Sequence, residues 1–337
     1  APLTPVRYAD LAEDVRPEVD LASVRGQYAA RRALEIAASG GHNLLLIGTA
    51  GSGKTMLARC LPAILPRMTE QEALETTVIH SVSGEVSGGL MTRRPFSAPH
   101  HTTSAVALIG GGRAAAPGEI SKAHNGVLFL DELPEFPRAV LEALRQPMED
   151  GVVTISRINA RCVYPARFQL VCAMTPCPCG NYGSRTRTCR CTPHEVQRYL
   201  SRISGPLLDR IDMVVEMDAV EPDEVFGPAV APAEDSETVR RRVERVRAAQ
   251  NARYAGADFF CNARLPANRL EEICNPTKDA WDALALCMRR LQLSMRGYAR
   301  VLRIARTIAD MAGEARVQAE HVAEAASYRG TNEKYWK

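Results

Sequence analysis

The chain has 337 residues, enough for two average domains, and its 46% hydrophobic and 24% charged content allows a sizeable core. A net charge of only +3 excludes binding to nucleic acid by overall charge, so any such grip must come from local clusters of arginine and lysine. No run of about 18 apolar residues is present to span a membrane. Ten cysteines fall as one tight group of four plus single thiols such as Cys60 and Cys287, which fits a reducing cytoplasm rather than a secreted disulfide framework.

Residues 1–20 are polar and carry prolines, and read as a linker or arm. The opening Ala, with no apolar signal core behind it, reads as a fragment boundary with an upstream domain missing. From Leu21 to Ser39 apolar residues recur at helical spacing until Gly40-Gly41 stops them. Leu44-Leu45-Leu46-Ile47 is a short apolar run into a glycine loop, and Met56–Leu65 follows at helical spacing, so the order is strand, loop, helix. A second buried strand, Val127–Leu130, ends on Asp131-Glu132, and a third, Phe168–Met174, ends on Thr175-Pro176. Strands separated by helical stretches predict an α/β fold with a parallel sheet and helices on both faces, here over residues 21–220. Pro222, Pro228 and Pro232 mark a connector over 221–235. Residues 236–330 read as a separate small helical domain, and 331–337 as a tail.

Gly48-Thr49-Ala50-Gly51-Ser52-Gly53-Lys54-Thr55 matches G-x-x-x-x-G-K-[ST] between a strand and a helix. Gly48, Gly51 and Gly53 let backbone N–H groups, with that of Ser52, curl round phosphate oxygens, and the following helix turns its positive end to the same anion. Lys54 reaches the β- and γ-phosphates, and the Thr55 hydroxyl ligates Mg²⁺. Asp131 is delivered to the sheet edge to hold the Mg²⁺ hydration shell, and Glu132 beside it orients and deprotonates the attacking water. ATP and Mg²⁺ are the expected ligands.

Taken in this order, with Gly205–Asp212 and Ser294–Asp310 added, the chain resembles the ComM/YifB family of AAA+ ATPases, relatives of the magnesium-chelatase ATPase subunit. The strings that carry the resemblance are Gly41–Gly48, Phe96–Thr102, Pro117–Ile120, Ala123–Leu133 and Ala305–Asp310, and it covers nearly all of residues 20–330. It implies a P-loop core with a C-terminal helical lid, a missing N-terminal domain like that of Lon protease, and a hexamer with ATP between neighbours. It also implies a DNA helicase or translocase acting on single-stranded or branched DNA, with a role in branch migration during natural transformation. Arg210 matches the arginine that reaches into the neighbour's site, where a guanidinium stabilises charge on the transferring phosphoryl group; the alternative is a local ion pair with Asp209 or Asp212. Arg296 matches the lid arginine that touches nucleotide, with Arg300 and Arg303 as rivals one and two turns on. Thr175 departs from the family, which has Asn there. A single hydroxyl replaces an amide that both donates and accepts, so either hydrolysis is slower or a neighbouring polar group substitutes.

Cys177, Cys179, Cys189 and Cys191 give C-x-C-x9-C-x-C, an arrangement that suits a closed, structural Zn²⁺ site; disulfides and free thiols are the alternatives. Val152–Arg167 alternates as a hairpin with Arg157 and Arg161 at its tip. In related ring helicases such a hairpin projects into the pore, where arginines track phosphates without reading sequence; otherwise it is a solvated surface hairpin. Phe96–Gly112 resembles the family's second pore-facing insertion. Its His100 and His101 should point apart along a strand, with hydrogen-bonding roles. Arg240–Arg253 reads as a basic helix, solvated or at a subunit contact.

Overall fold

A computed structural model describes Tyr8 and residues 18–86, 89–112, 115–157, 160–184, 187–218 and 233–336. The remainder of the expected N-terminal arm, most of the connector, the hairpin tip at 158–159 and the side chain of Arg157 lie outside the described residues.

The strands, in chain order, are β1 (Leu44–Gly48), β2 (Phe96–Ser97), β3 (Gly110–Gly111), β4 (Ala116–Pro117), β5 (Val127–Leu130), β6 (Val152–Arg157), β7 (Ala160–Pro165), β8 (Gln169–Met174) and β9 (Met213–Met217). Five of them form one sheet in the order β2-β5-β8-β1-β9, each neighbouring pair parallel. β1, β5 and β8 are buried along their whole length, which is why they read as unbroken apolar runs rather than as alternation. The alternation survives in where the side chains go. Leu44 and Leu46 enter one core with the lid, whereas Leu45 and Ile47 enter a second core on the other face. β2 and β9 went unread in the sequence, β2 because two residues carry no period and β9 because Glu216 interrupts its run.

The helices used below are α1 (Tyr28–Gly40), α2 (Lys54–Arg59), α3 (Leu61–Ile64), α4 (Pro193–Leu200), α5 (Gly205–Leu208), α6 (Ser236–Arg253), α7 (Lys278–Arg290), α8 (Met295–Ala312) and α9 (Ala319–Tyr335). Two expected helices are corrected. The one expected from Leu21 is a 3₁₀ turn at Leu21–Ser23, and α1 starts only at Tyr28 because Gly26 and Gln27 take φ of 64° and 53°, which no helix accepts. The one expected over Met56–Leu65 is α2 and α3 joined at Cys60, with Pro62 in the first turn of α3, where its missing N–H costs nothing. β8 begins at Gln169 rather than Phe168.

The C-terminal helices form the lid and pack on α1 and on the sheet edge at β9 through one continuous core. A buried polar knot lies inside it. Asp310 accepts from Arg253, from Arg306 and from the Asn262 amide, and Thr307 joins through Asn262 at 3.0 Å. His42 ties the knot to the α/β core through its Nε2, 2.8 Å from Thr307 Oγ1. α6 is therefore more than a solvated face: Val239, Val243 and Val246 are buried, and Arg242 bridges Glu35 and Glu234.

Candidate nucleotide site

The phosphate loop leaves β1 at Gly48, where a Cβ would stand 2.2 Å from the Met217 carbonyl oxygen, so no side chain fits. Gly51 and Gly53 take φ of 82° and 88°, the left-handed region that favours glycine, and their Cβ positions face open space. Lys54 opens α2 and is nearly buried. Its Nζ donates to the Gly48 and Thr49 carbonyl oxygens, both at 2.8 Å. Burial pushes its pKa below the ordinary lysine value, and Asp131 opposes that. An already desolvated ammonium resting on neutral carbonyls gains by exchanging them for charged phosphate oxygens.

β5 brings Asp131 and Glu132, and β8 brings Thr175, to the same end of the sheet as the phosphate loop. Thr55 Oγ1 donates to Asp131 Oδ2 at 2.7 Å, and Asp131 Oδ1 accepts the Glu132 N–H at 2.9 Å. A hydroxyl and a carboxylate in contact form an all-oxygen donor set that fits Mg²⁺. Glu132 has φ 53°, a strained value for a side-chain-bearing residue, and its carboxylate is 61% exposed. Its partner is His101, whose Nδ1 lies 3.1 Å from Oε2. β8 lies between β1 and β5, so Thr175 at its end stands between the phosphate loop and the two acids. The Thr175 hydroxyl donates to the Cys177 carbonyl at 3.1 Å and lies 3.1 Å from the Tyr199 hydroxyl.

Arg210 is elsewhere. Its carbonyl accepts from the Asn43 amide at 2.9 Å, and the Asn43 N–H donates to Asp212 Oδ2 at 2.9 Å. Both contacts lie at the start of β1, and the five residues of that strand separate them from the phosphate loop by about 15 Å. Arg210 does not take the local ion pair with Asp209 or Asp212 that was the alternative; it pairs with Glu149 and donates to the Pro206 carbonyl at 2.7 Å. Asp209 and Asp212 are occupied instead by the lid. Arg300 Nε lies 3.3 Å from Asp212, and Arg296, 71% exposed, lies 3.7 Å from Asp209. Arg303 is committed to the Leu265 carbonyl at 2.8 Å. Of the three lid arginines, Arg296 alone is both exposed and weakly held, and its partner is Asp209, the residue before Arg210, rather than any residue of the phosphate loop.

The four cysteines converge. Cys177, Cys179 and Cys189 have sulfurs 3.4–3.7 Å apart, and all four fall within 4.8 Å of one another. Four thiolates about 2.3 Å from one zinc ion stand about 3.8 Å apart, so the set fits tetrahedral Zn²⁺. Backbone N–H groups of Arg190 and then Asn181 draw the Cys179 thiol down to about 6, whereas desolvation pushes Cys189 up and Cys191 rises to about 12 against the backbone hydrogen bond of Cys179. Cys60 is buried as a single thiol and Cys287 half-buried.

The magnesium chelatase subunit ChlI family matches residues 20–225, and the ChlI C-terminal family matches residues 233–329. The chain belongs to the ComM/YifB family of magnesium-chelatase-type AAA+ ATPases. It is 48% identical over 314 residues to competence protein ComM of Haemophilus influenzae and 46% identical over 311 residues to the uncharacterized protein YifB of Escherichia coli, matches that cover 92% of this chain and 60% of each relative. The magnesium-chelatase 67 kDa subunit of Heliobacterium mobile is 26% identical over 265 residues, 67% of this chain and 37% of that one. The chain thus spans about three fifths of the length of ComM and YifB. Among the described residues no helix is long and apolar enough to cross a membrane.

β6 and β7 form the expected hairpin, with Ser156 opposite Arg161, which is exposed. The Tyr164 hydroxyl of β7 donates to the carbonyl of Ala115, just before β4, at 2.9 Å. One site residue, Tyr199, goes unread in the sequence, and the orientation of His101 is corrected. His101 keeps a polar role, but β2 ends at Ser97 and a turn follows, so its ring stands 4.0 Å from that of His100 and it meets Glu132. His100 keeps the hydrogen-bonding role, 2.9 Å from Thr102 Oγ1. Tyr199 lies 24 residues beyond Thr175, and only the fold joins them.

Proposed function

We propose that the chain hydrolyses ATP with Mg²⁺ at a seam between two copies of itself in a ring, a hexamer in the family's manner, and uses the cycle to move along single-stranded or branched DNA. The observation that carries this reading is the division of the machinery across one sheet. Lys54, Thr55, Asp131, Glu132 and Thr175 stand at one end, whereas Arg210 and Arg296 stand at the other, out of reach of their own nucleotide. A neighbour then supplies Arg210 to the γ-phosphate and Arg296 beside it. Lys54 and the loop N–H groups bind the triphosphate, Thr55 and Asp131 hold the metal, and Glu132 takes the proton of the attacking water. Mg²⁺ would neutralise charge developing between the β- and γ-phosphates.

Zn²⁺ at Cys177, Cys179, Cys189 and Cys191 is the proposed structural metal. The DNA reading draws on Arg157 and Arg161 in the hairpin and on the name of the Haemophilus relative, a competence protein; branch migration during natural transformation is the setting that the family resemblance implies. The likeness to a magnesium-chelatase subunit supports a second reading, in which the ring remodels a protein partner. Steady-state phosphate release with and without forked and single-stranded DNA separates the two. DNA stimulation that disappears in Arg157→Glu with Arg161→Glu, at unchanged basal turnover, is expected; turnover indifferent to DNA rejects the DNA motor and leaves the chelatase-like reading.

A further inference from the structure

Thr175 carries one hydroxyl hydrogen, and that hydrogen is committed to the Cys177 carbonyl at 3.1 Å. In the second contact, at 3.1 Å, the Tyr199 hydroxyl is therefore the donor. Burial, opposed by the Thr175 hydrogen bond and helped by the Glu135 and Glu132 carboxylates, holds the Tyr199 hydroxyl above its ordinary pKa, so at neutral pH it stays protonated. Both neighbours of Thr175 are tied to the cysteines. The Cys177 carbonyl also accepts the Gly180 N–H at 2.9 Å, and the Tyr182 N–H donates to Cys177 Sγ at 3.3 Å. Tyr199 sits in the last turn of α4, and α4 starts at Pro193, directly after Cys191 and its capping residue Thr192. The cysteine loop also overlies the phosphate loop, since a Cβ on Gly180 would stand 3.7 Å from Thr175 Cγ2 and 3.8 Å from the Ala50 nitrogen. Between β8 and α4 the described residues form no helix or strand; the segment is held by the converging sulfurs, by the packing of Cys177, Cys189 and Cys191 on the second core, and by Tyr182 against Tyr335.

We propose that Zn²⁺ on Cys177, Cys179, Cys189 and Cys191 holds Thr175 and Tyr199 in register, and that Tyr199 is a positioning residue for ATP hydrolysis, so that metal occupancy sets the rate of cleavage and not the affinity for nucleotide. The inference rests on the ATPase reading above and deepens it. With its own hydrogen given to Cys177 and the Tyr199 hydrogen held on one lone pair, the Thr175 oxygen keeps its other lone pair free and aimed to accept from the attacking water, the accepting half of what the amide does. The zinc ion takes no part in the chemistry; it fixes the distance between the end of β8 and α4.

The test uses the whole chain in its assembled form. Metal analysis, with the thiolate-to-metal absorption band after cobalt substitution, is expected to give one four-sulfur site per chain, lost in Cys179→Ser with Cys189→Ser. Removing zinc under reducing conditions should lower turnover about tenfold or more while affinity for a non-hydrolysable ATP analogue stays within about twofold, and restoring zinc should restore turnover. Tyr199→Phe keeps the ring packing and the metal. It should lower kcat about tenfold at unchanged KM, and Thr175→Asn in that background should recover it. Absence of the metal band, full turnover without zinc, or Tyr199→Phe at the wild-type rate overturns the inference while wild-type hydrolysis upholds the ATPase reading. A wild type that binds zinc and the analogue yet releases no phosphate fails the ATPase reading, and the inference with it.

Discussion

The nucleotide end of the sheet and the polar knot of the lid use the same residue types and hold them in opposite ways. At the nucleotide end Lys54 rests on carbonyl oxygens, Thr55 on Asp131, and Glu132 is mostly exposed with His101 beside it. In the lid Asp310 and Arg306 are each 1% exposed, and Asp310 is shared by two guanidinium groups and an amide. The first set can be exchanged for a ligand at little cost; breaking the second strands buried charge. Partners that will be given up are neutral carbonyls or exposed groups, and partners that are kept are several, charged and dry.

Glu132→Gln probes the exchangeable side. It is expected to lower phosphate release by about 10²–10⁴-fold while leaving nucleotide binding intact and stability within about 0.5 kcal/mol, read by urea unfolding. Persistent turnover would remove Glu132 as the base. Asp310→Ala probes the kept side and should destabilise the fold by roughly 3–5 kcal/mol, because Arg253 and Arg306 lose their common acceptor. A loss of only about 0.5 kcal/mol would erase the contrast. His42 adds a pH test of the joint between the two regions. Burial lowers its pKa from 6.5 to about 4, with Asp212 opposing, so the unfolded chain takes up the proton first as pH falls. Stability should be complete above about pH 6.5 and decline by roughly 3 kcal/mol toward pH 4, and His42→Gln should flatten that slope in melts across this range. The smallest effect is expected for Arg296→Ala, within about 0.5 kcal/mol in stability because its ion pair is exposed and long, with the loss appearing in ATP turnover if the proposed seam forms.

The core strands and the phosphate loop were legible because their signals are local: unbroken apolar runs for β1, β5 and β8, and glycines at fixed offsets before Lys54-Thr55. What stayed hidden depends on which end of the sheet a residue leaves from. Nothing near Arg210 in the sequence says that Asn43 anchors it at the start of β1, or that its partner is Glu149 rather than an adjacent aspartate. Tyr199 and Thr175 meet only because the cysteine loop folds back, and His101 turns to Glu132 only because β2 stops after two residues. The lid arginines could not be ranked from helical spacing, since Arg296, Arg300 and Arg303 differ in what the core offers each of them.

The separation of about 15 Å between the anchor of Arg210 and the phosphate loop has a consequence for mixtures. Chains bearing Glu132→Gln and chains bearing Arg210→Ala, each inert alone, should regain activity when co-assembled, because some junctions then join an intact glutamate from one kind to an intact arginine from the other. A chain bearing both lesions should rescue neither partner. Inheritance of activity in such blends would follow junctions rather than molecules, a counting rule set by where two residues leave a five-stranded sheet.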